Sequence, residues 1–223
     1  MKIENFSNSL AKSLGEYLQY SEEQVSILAY GLYGLLQTIF SLFLVIAIGL
    51  FLGITLEALI VSFSIAILRK FSGGAHATSA ERCLILGTLF AIIGALLGHL
   101  VLNFIAPPIL YYLEFLLFIW SFYIIYKYAP VASPNKPIIN TIKITRLKQR
   151  SIFVTFIYFV INIILLFISN FFKSSSMSIY SICLTLGMSW QTFTLTKLGH
   201  NVAKSLDHVL ITISNIITKE RIL

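Results

Sequence analysis

Between two long apolar stretches, residues 69–83 read RKFSGGAHATSAERC. One short connector thus holds a histidine, a cysteine, two adjacent glycines and the cations Arg69, Lys70 and Arg82. Histidine with cysteine suits two chemistries, metal coordination and thiol catalysis. A structural zinc site takes four ligands and a catalytic one about three. The inner connectors offer only His76 and Cys83, with His200 and His208 far off in the tail, so metal is the weaker reading and no cofactor is expected. A cysteine nucleophile needs a base within about 3 Å. On an unbroken helix, seven steps of about 1.5 Å would hold His76 and Cys83 roughly 10 Å apart along the axis. The pair can meet only if the connector bends, and Gly73 and Gly74 permit backbone angles closed to other residues. Thr78 or Ser79 would cap the helix that carries Cys83, with Glu81 in its first turn. Arg69, Lys70 and Arg82 would then surround a helix start, where negative charge is stabilised. The alternatives are an inert small cysteine at a helix start and cations that only anchor the inner membrane face.

The elements that must position this connector are set by apolarity. The 223 residues are 57% hydrophobic and 11% charged, far from the soluble norm of about a quarter charged. Continuously apolar runs at about 27–52, 54–68, 83–105, 108–128, 151–172 and 177–196 predict membrane helices rather than the alternating strands of a barrel. The second run is short, which places it near an interior or makes it borrow flanking residues. The expected fold is an all-α membrane protein, a bundle of six transmembrane helices with an amphipathic interfacial helix at each end. Residues 1–26 form the first of these, with Ile3, Phe6, Leu10, Leu14 and Leu18 on one face. Residues 197–223 form the second, with Val202, Leu206, Val209, Ile213 and Ile216 opposed to Lys204, Asp207 and Lys219. No cleavable signal is expected, because the start lacks a compact apolar core.

The net charge of +7 is unevenly placed. With both termini cytoplasmic, Arg69, Lys70 and Arg82 fall in one inner loop (69–83). Lys127, Lys136, Lys143, Arg146, Lys148 and Arg150 fall in or beside another (128–150), and only Lys173 lies outside. That asymmetry fits the positive-inside rule and anionic lipid, not nucleic acid. Pro130, Pro134 and Pro137 stiffen the start of the second loop. Cys83 and Cys183 sit apart and imply no disulfide. Gly87, Ala91, Gly94 and Gly98 form a smooth stripe from Cys83. Its Gly94–Gly98 pair suits helix packing or a homodimer, or a groove for an approaching substrate. Glu57, Glu114 and His99 are ionisable groups in or near the outer part of spans.

Arg69, GGAHA at 73–77 and Cys83 seven residues after His76 resemble the signature of the accessory gene regulator B (AgrB-like) family, membrane peptidases of Gram-positive quorum sensing. YAPVASPNKPI at 128–138 resembles the family's second inner loop. The resemblance spans essentially the whole chain. It implies a cysteine endopeptidase, in the cell membrane with its site on the cytoplasmic side, acting on a short amphipathic signal-peptide precursor (AgrD-like). Cys83 matches the nucleophile and His76 its partner; Arg69, Gly73 and Gly74 match positions around them; Pro130, Lys136 and Pro137 match the second loop, in a structural or substrate-positioning role. The acyl-enzyme thioester could be taken by a thiol of the peptide, closing a thiolactone, or a lactone where serine stands there. Arg69, Lys70, Arg82 and the 143–150 cluster, with Lys148 and Arg150, could steer an acidic precursor tail, and Lys136 could bind it. Six spans with intramembrane carboxylates would also suit a small peptide or lipid transporter, which would survive loss of the thiol, or a non-catalytic scaffold.

Overall fold

The computed structural model describes residues 2–75, 77–132 and 140–220. His76 and Lys136, with Pro134 and Pro137, lie outside the described residues. The described chain is helical throughout: α1 (Lys2–Tyr17), α2 (Glu22–Leu52), α3 (Thr55–Ser72), α4 (Ala80–Phe104), α5 (Pro107–Tyr128), α6 (Thr141–Phe172), α7 (Ser175–Phe193) and α8 (Lys197–Glu220). Local signals account for the boundaries. Ser21 and Gln24 form a reciprocal capping box at the start of α2, and Gly53 ends that helix in the left-handed region at φ 70°. Pro107 opens α5, where a missing N–H costs nothing. The Asn140 side chain accepts from the Ile142 and Lys143 amides, so α6 begins ten residues ahead of the apolar run expected to start at 151. Lys143, Arg146, Lys148 and Arg150 therefore stand on the first turns of a helix.

Four helices, α2, α4, α5 and α6, are long and apolar enough to cross a membrane. α3 and α7, also expected as spans, are more polar: α3 carries Glu57, Arg69 and Lys70, and α7 is rich in serine and threonine. The physical reason is their place. α3 and α7 pack most extensively on each other, α3 also meeting α2, α4 and α6, and α7 also meeting α4, α5 and α6. Helices enclosed by other helices can carry polar side chains, provided these are paired inside the bundle. Asn162 on α6 does this by donating to Glu114 Oε2 on α5 at 3.0 Å and reaching the Ser181 and Thr185 hydroxyls on α7 at 2.8 and 3.0 Å. Ser181 donates to the same carboxylate oxygen at 2.7 Å. Tyr158 donates to the Ser64 carbonyl at 3.0 Å, tying α6 to α3.

The small residues of α4 are consumed within this bundle. A Cβ on Gly94 would meet Val61 Cγ1 of α3 at 3.0 Å, and one on Gly98 would meet Cys183 Sγ of α7 at 2.8 Å. The Gly94–Gly98 pair thus serves close packing inside one chain rather than a surface for a second copy or a substrate groove. Gly87, by contrast, has nothing within 4 Å of its Cβ position. α1 and α8 leave Phe6, Leu10 and Leu14, and Val202, Val209, Ile213 and Ile216, exposed.

The Asn162 knot supplies a stability test. Asn162→Leu removes one of the two donors to Glu114, a residue that is 3% exposed, and should lower the unfolding free energy by about 1–3 kcal/mol. Replacing both partners, Asn162→Leu with Glu114→Met, should recover most of that loss. Denaturant titration of the detergent-solubilised protein, followed by circular dichroism, distinguishes the two outcomes.

Candidate active site

Cys83 is a free, half-buried cysteine in the first turn of α4. Ser79 caps that helix, its hydroxyl accepting from the Arg82 amide at 3.3 Å, and its carbonyl accepts the Cys83 amide at 3.0 Å. The cap expected at 78 or 79 is therefore Ser79. Upstream, α3 ends at Ser72 and the chain turns through two glycines at positive φ, Gly73 at 69° and Gly74 at 131°. Space as well as torsion demands glycine here. A Cβ on Gly73 would collide with the Val131 carbonyl, and one on Gly74 would meet Thr194 Oγ1 at 2.7 Å.

That crowding reflects how the connector is held. The Val131 amide donates to the Ser72 carbonyl at 2.9 Å, and Gly73 and Val131 form a parallel bridge, so the second inner connector pairs with the first. Gln191 Nε2, from the inner end of α7, reaches Gly73 O at 2.7 Å and Ser72 Oγ at 3.1 Å. Arg69 turns its guanidinium toward the site and donates through Nη2 to the Ala75 carbonyl.

A cavity of about 180 Å³ opens beside the thiol, with Arg69, Ala75, Cys83, Gly87, Phe90 and Trp190 in its walls. Phe90 and Trp190 stack at 3.7 Å between ring centroids and make one wall rigid and apolar. A larger cavity, about 1090 Å³, lies between α1 and α2 and reaches Thr78 and Ser79.

The structure brings Arg69, Gly73, Gly74 and Cys83 into one assembly. Of the other cations singled out in the sequence, Arg82 is bound to Asp207, Nε to Oδ1 at 2.6 Å. Lys70 Nζ and Arg150 Cζ both lie over the Phe71 ring, at 5.8 and 5.9 Å, and Lys148 Nζ lies 4.3 Å from the Tyr126 ring centre. These three stand apart from the thiol cavity. Sequence reasoning missed Gln191, Val131, Trp190 and the pairing of Asp207. Asp207 alone left a signal, as the one aspartate of the sequence. Among the described residues no three His, Cys, Asp or Glu side chains converge as a metal site would require.

The Accessory gene regulator B family profile matches residues 5–195. The chain belongs to the AgrB family. It is 35% identical over 206 residues to an AgrB-like protein of Clostridium perfringens strain SM101, covering 92% of this chain and 96% of that one. A second AgrB-like protein, from C. perfringens strain 13, is 35% identical over 208 residues, again 92% of this chain and 96% of the relative. An AgrB-like protein of Halalkalibacterium halodurans is 27% identical over 209 residues, 94% of each chain. No solved structure matches the chain significantly. AgrB membership supports a role in processing accessory gene regulator quorum-sensing peptides, and it covers α1 to α7 with both inner connectors.

The double-glycine turn gives a sharp prediction within this AgrB fold. Gly73→Ala places a side chain at positive φ and against the Val131 carbonyl, at a cost of about 1–3 kcal/mol in backbone strain before the collision is counted. Expected is a lowered melting temperature together with loss of peptide processing. Gly31→Ala, in open space on α2, should leave both unchanged.

Proposed function

We propose that the protein is an integral-membrane cysteine endopeptidase that removes the C-terminal tail of a short quorum-sensing precursor and promotes its cyclisation. The observation that carries the reading is Cys83: a half-exposed thiol at a capped helix start, opening onto a small cavity beside an inward-turned arginine, within an AgrB chain. His76 is the proton-transfer partner, carried by the segment between the Arg69–Ala75 contact and Thr78.

The chemistry balances in two steps. The Cys83 thiolate attacks the backbone carbonyl carbon of the scissile residue, the C–N bond breaks, and His76 in its protonated form delivers a proton to the departing amine. A thiol of the same peptide then attacks the acyl-enzyme thioester. It transfers its proton to His76, forms the new C–S bond and expels Cys83. The product is a thiolactone, or a lactone where a serine hydroxyl attacks. One thioester replaces another, so this exchange is nearly balanced, whereas water would end the sequence. The recessed, partly apolar cavity favours the ring by limiting water. It accepts the side chain of the residue that supplies the carbonyl, against Phe90 and Trp190.

All six helices α2 to α7 cross the cell membrane in this reading, α3 and α7 as the interior spans. Both termini and both basic connectors face the cytoplasm. α1 and α8 lie on the inner leaflet through their exposed apolar faces, where the amphipathic precursor also lies. Lys70, Lys148 and Arg150, with Lys136, steer an acidic precursor tail. Arg82, held by Asp207, serves the loop instead. The unit is a homodimer through a surface other than the Gly94–Gly98 stripe.

Two experiments test the assignment. In proteoliposomes, Cys83→Ala should abolish tail release from a short amphipathic precursor peptide with an acidic C-terminal tail, and mass spectrometry of wild type should find a peptide thioester on Cys83. Tail release by Cys83→Ala at the wild-type rate would overturn the assignment of cleavage to Cys83, and an absence of tail release by wild type would remove the peptidase reading and leave transport. Gly87→Leu, at a position where the added side chain meets open space, should fill the cavity. Cleavage after a large apolar residue should fall at least about tenfold relative to cleavage after alanine.

A further inference from the structure

The segment joining His76 to Cys83 is fastened from outside the matched family region. Asp207 lies on α8, beyond residue 195 where the family match ends, and it is buried, its side chain 6% exposed. Both carboxylate oxygens are used. Oδ2 accepts from the Thr78 amide at 3.1 Å and from the Thr78 hydroxyl at 2.6 Å, and Oδ1 accepts from Arg82 Nε at 2.6 Å. Arg82 Nη2 also donates to Thr78 Oγ1, which closes a ring of bonds over the capping residue Ser79. Cys83 follows Arg82 directly. Partial burial pushes the Asp207 carboxyl up, but the bonds from Thr78 and Arg82 outweigh it and hold it below the usual carboxylate value.

We propose that Asp207 is a positioning residue for the His76–Cys83 pair, which makes the C-terminal helix part of the catalytic unit. The inference rests on the endopeptidase reading of that pair. Three features carry it. The clamp grips residues 78 and 82, so it fixes the backbone between the two reacting side chains. Arg69 in turn holds the Ala75 carbonyl, so the described residues Ala75 and Thr78 are gripped from α3 and from α8. The same helix sends Ala203 and Leu206 into the wall of the cavity at Cys83. An exposed ion pair would be worth little. This one is shielded and charge-assisted, and neutralising its acid leaves Arg82 without its partner.

A merely structural tie would change melting and leave the chemistry of the thiol alone. The test therefore reads the thiol. The full-length protein in detergent is treated with iodoacetamide from about pH 5 to 10, and modification of the Cys83 peptide is followed by mass spectrometry, which separates it from Cys183. The variants are His76→Ala, Asp207→Asn, Asp207→Glu and Thr78→Val. If His76 assists the thiol, His76→Ala should slow alkylation at pH 7 about tenfold or more and move the midpoint upward. Asp207→Asn should reproduce most of that shift with its helical circular dichroism intact. Thr78→Val should shift less in the same direction, and Asp207→Glu should stay within about threefold of wild type. A lowered midpoint in folded Asp207→Asn, which the freed Arg82 charge alone would give, or a wild-type midpoint there and in Thr78→Val, with His76→Ala shifted, overturns the positioning role alone. If Asp207→Asn fails to fold, Thr78→Val decides by the same criterion. A wild-type midpoint in His76→Ala overturns the endopeptidase pair itself, and the positioning role with it.

Discussion

A chain that breaks its helix at the edge of an apolar bundle exposes amides and carbonyls that water does not fully reach, and each needs a partner. The end of α3 solves this with backbone from elsewhere. The Ser72 carbonyl takes the Val131 amide, and the Gly73 carbonyl takes the Gln191 side chain. This pairing requires the second connector to come so close that only glycine fits at 73. The two inner connectors and the inner end of α7 consequently form one body. The direction in which the chain leaves Gly74, and so the placing of the whole 75–83 segment, depends on it.

The polar centre of the bundle follows from the same accounting. α3 supplies both a buried face toward α7 and the inner-end arginine of the site, so it cannot be uniformly greasy. α7 supplies Ser181 and Thr185 to Asn162, and then, a few turns on, Gln191 to the glycine loop. Each polar side chain is tolerated because another helix answers it. The outer helices α2, α4, α5 and α6 carry the apolar surface that permits this interior.

Much of the site was legible in sequence because its signals are local. Ser79 reads as a cap from its own neighbourhood, and Gly73 and Gly74 announce backbone freedom beside Cys83. The pairing of Asp207 was not legible, since its partners lie 125 and 129 residues away. Val131 and Gln191 act through backbone proximity and a single amide, which leave no pattern. The Gly94–Gly98 pair shows the opposite failure: the small-residue motif predicted close packing correctly, but its spacing cannot tell a helix of the same chain from that of a second copy. α6 outran its apolar run because Asn140 starts the helix within the basic segment, where hydropathy has no signal.

Charge around the site divides by how each cation is answered. Arg69 lines the cavity at Cys83 and is bound to a backbone carbonyl, which carries no net charge to cancel its own. Arg82, one residue from the thiol, is instead neutralised by Asp207. Had both been uncompensated, two like charges would have met at one partly desolvated helix start, with a cost that rises as water is excluded. Binding the second arginine to a carboxylate from α8 removes that repulsion and converts Arg82 from a source of field into a fastener. The cations of Lys148 and Arg150 rest on aromatic rings, which stabilise a cation without neutralising it. Three of these cations are thus answered in three ways: Arg69 by a neutral carbonyl beside the thiol cavity, Arg82 by a carboxylate, and Lys148 by an aromatic face.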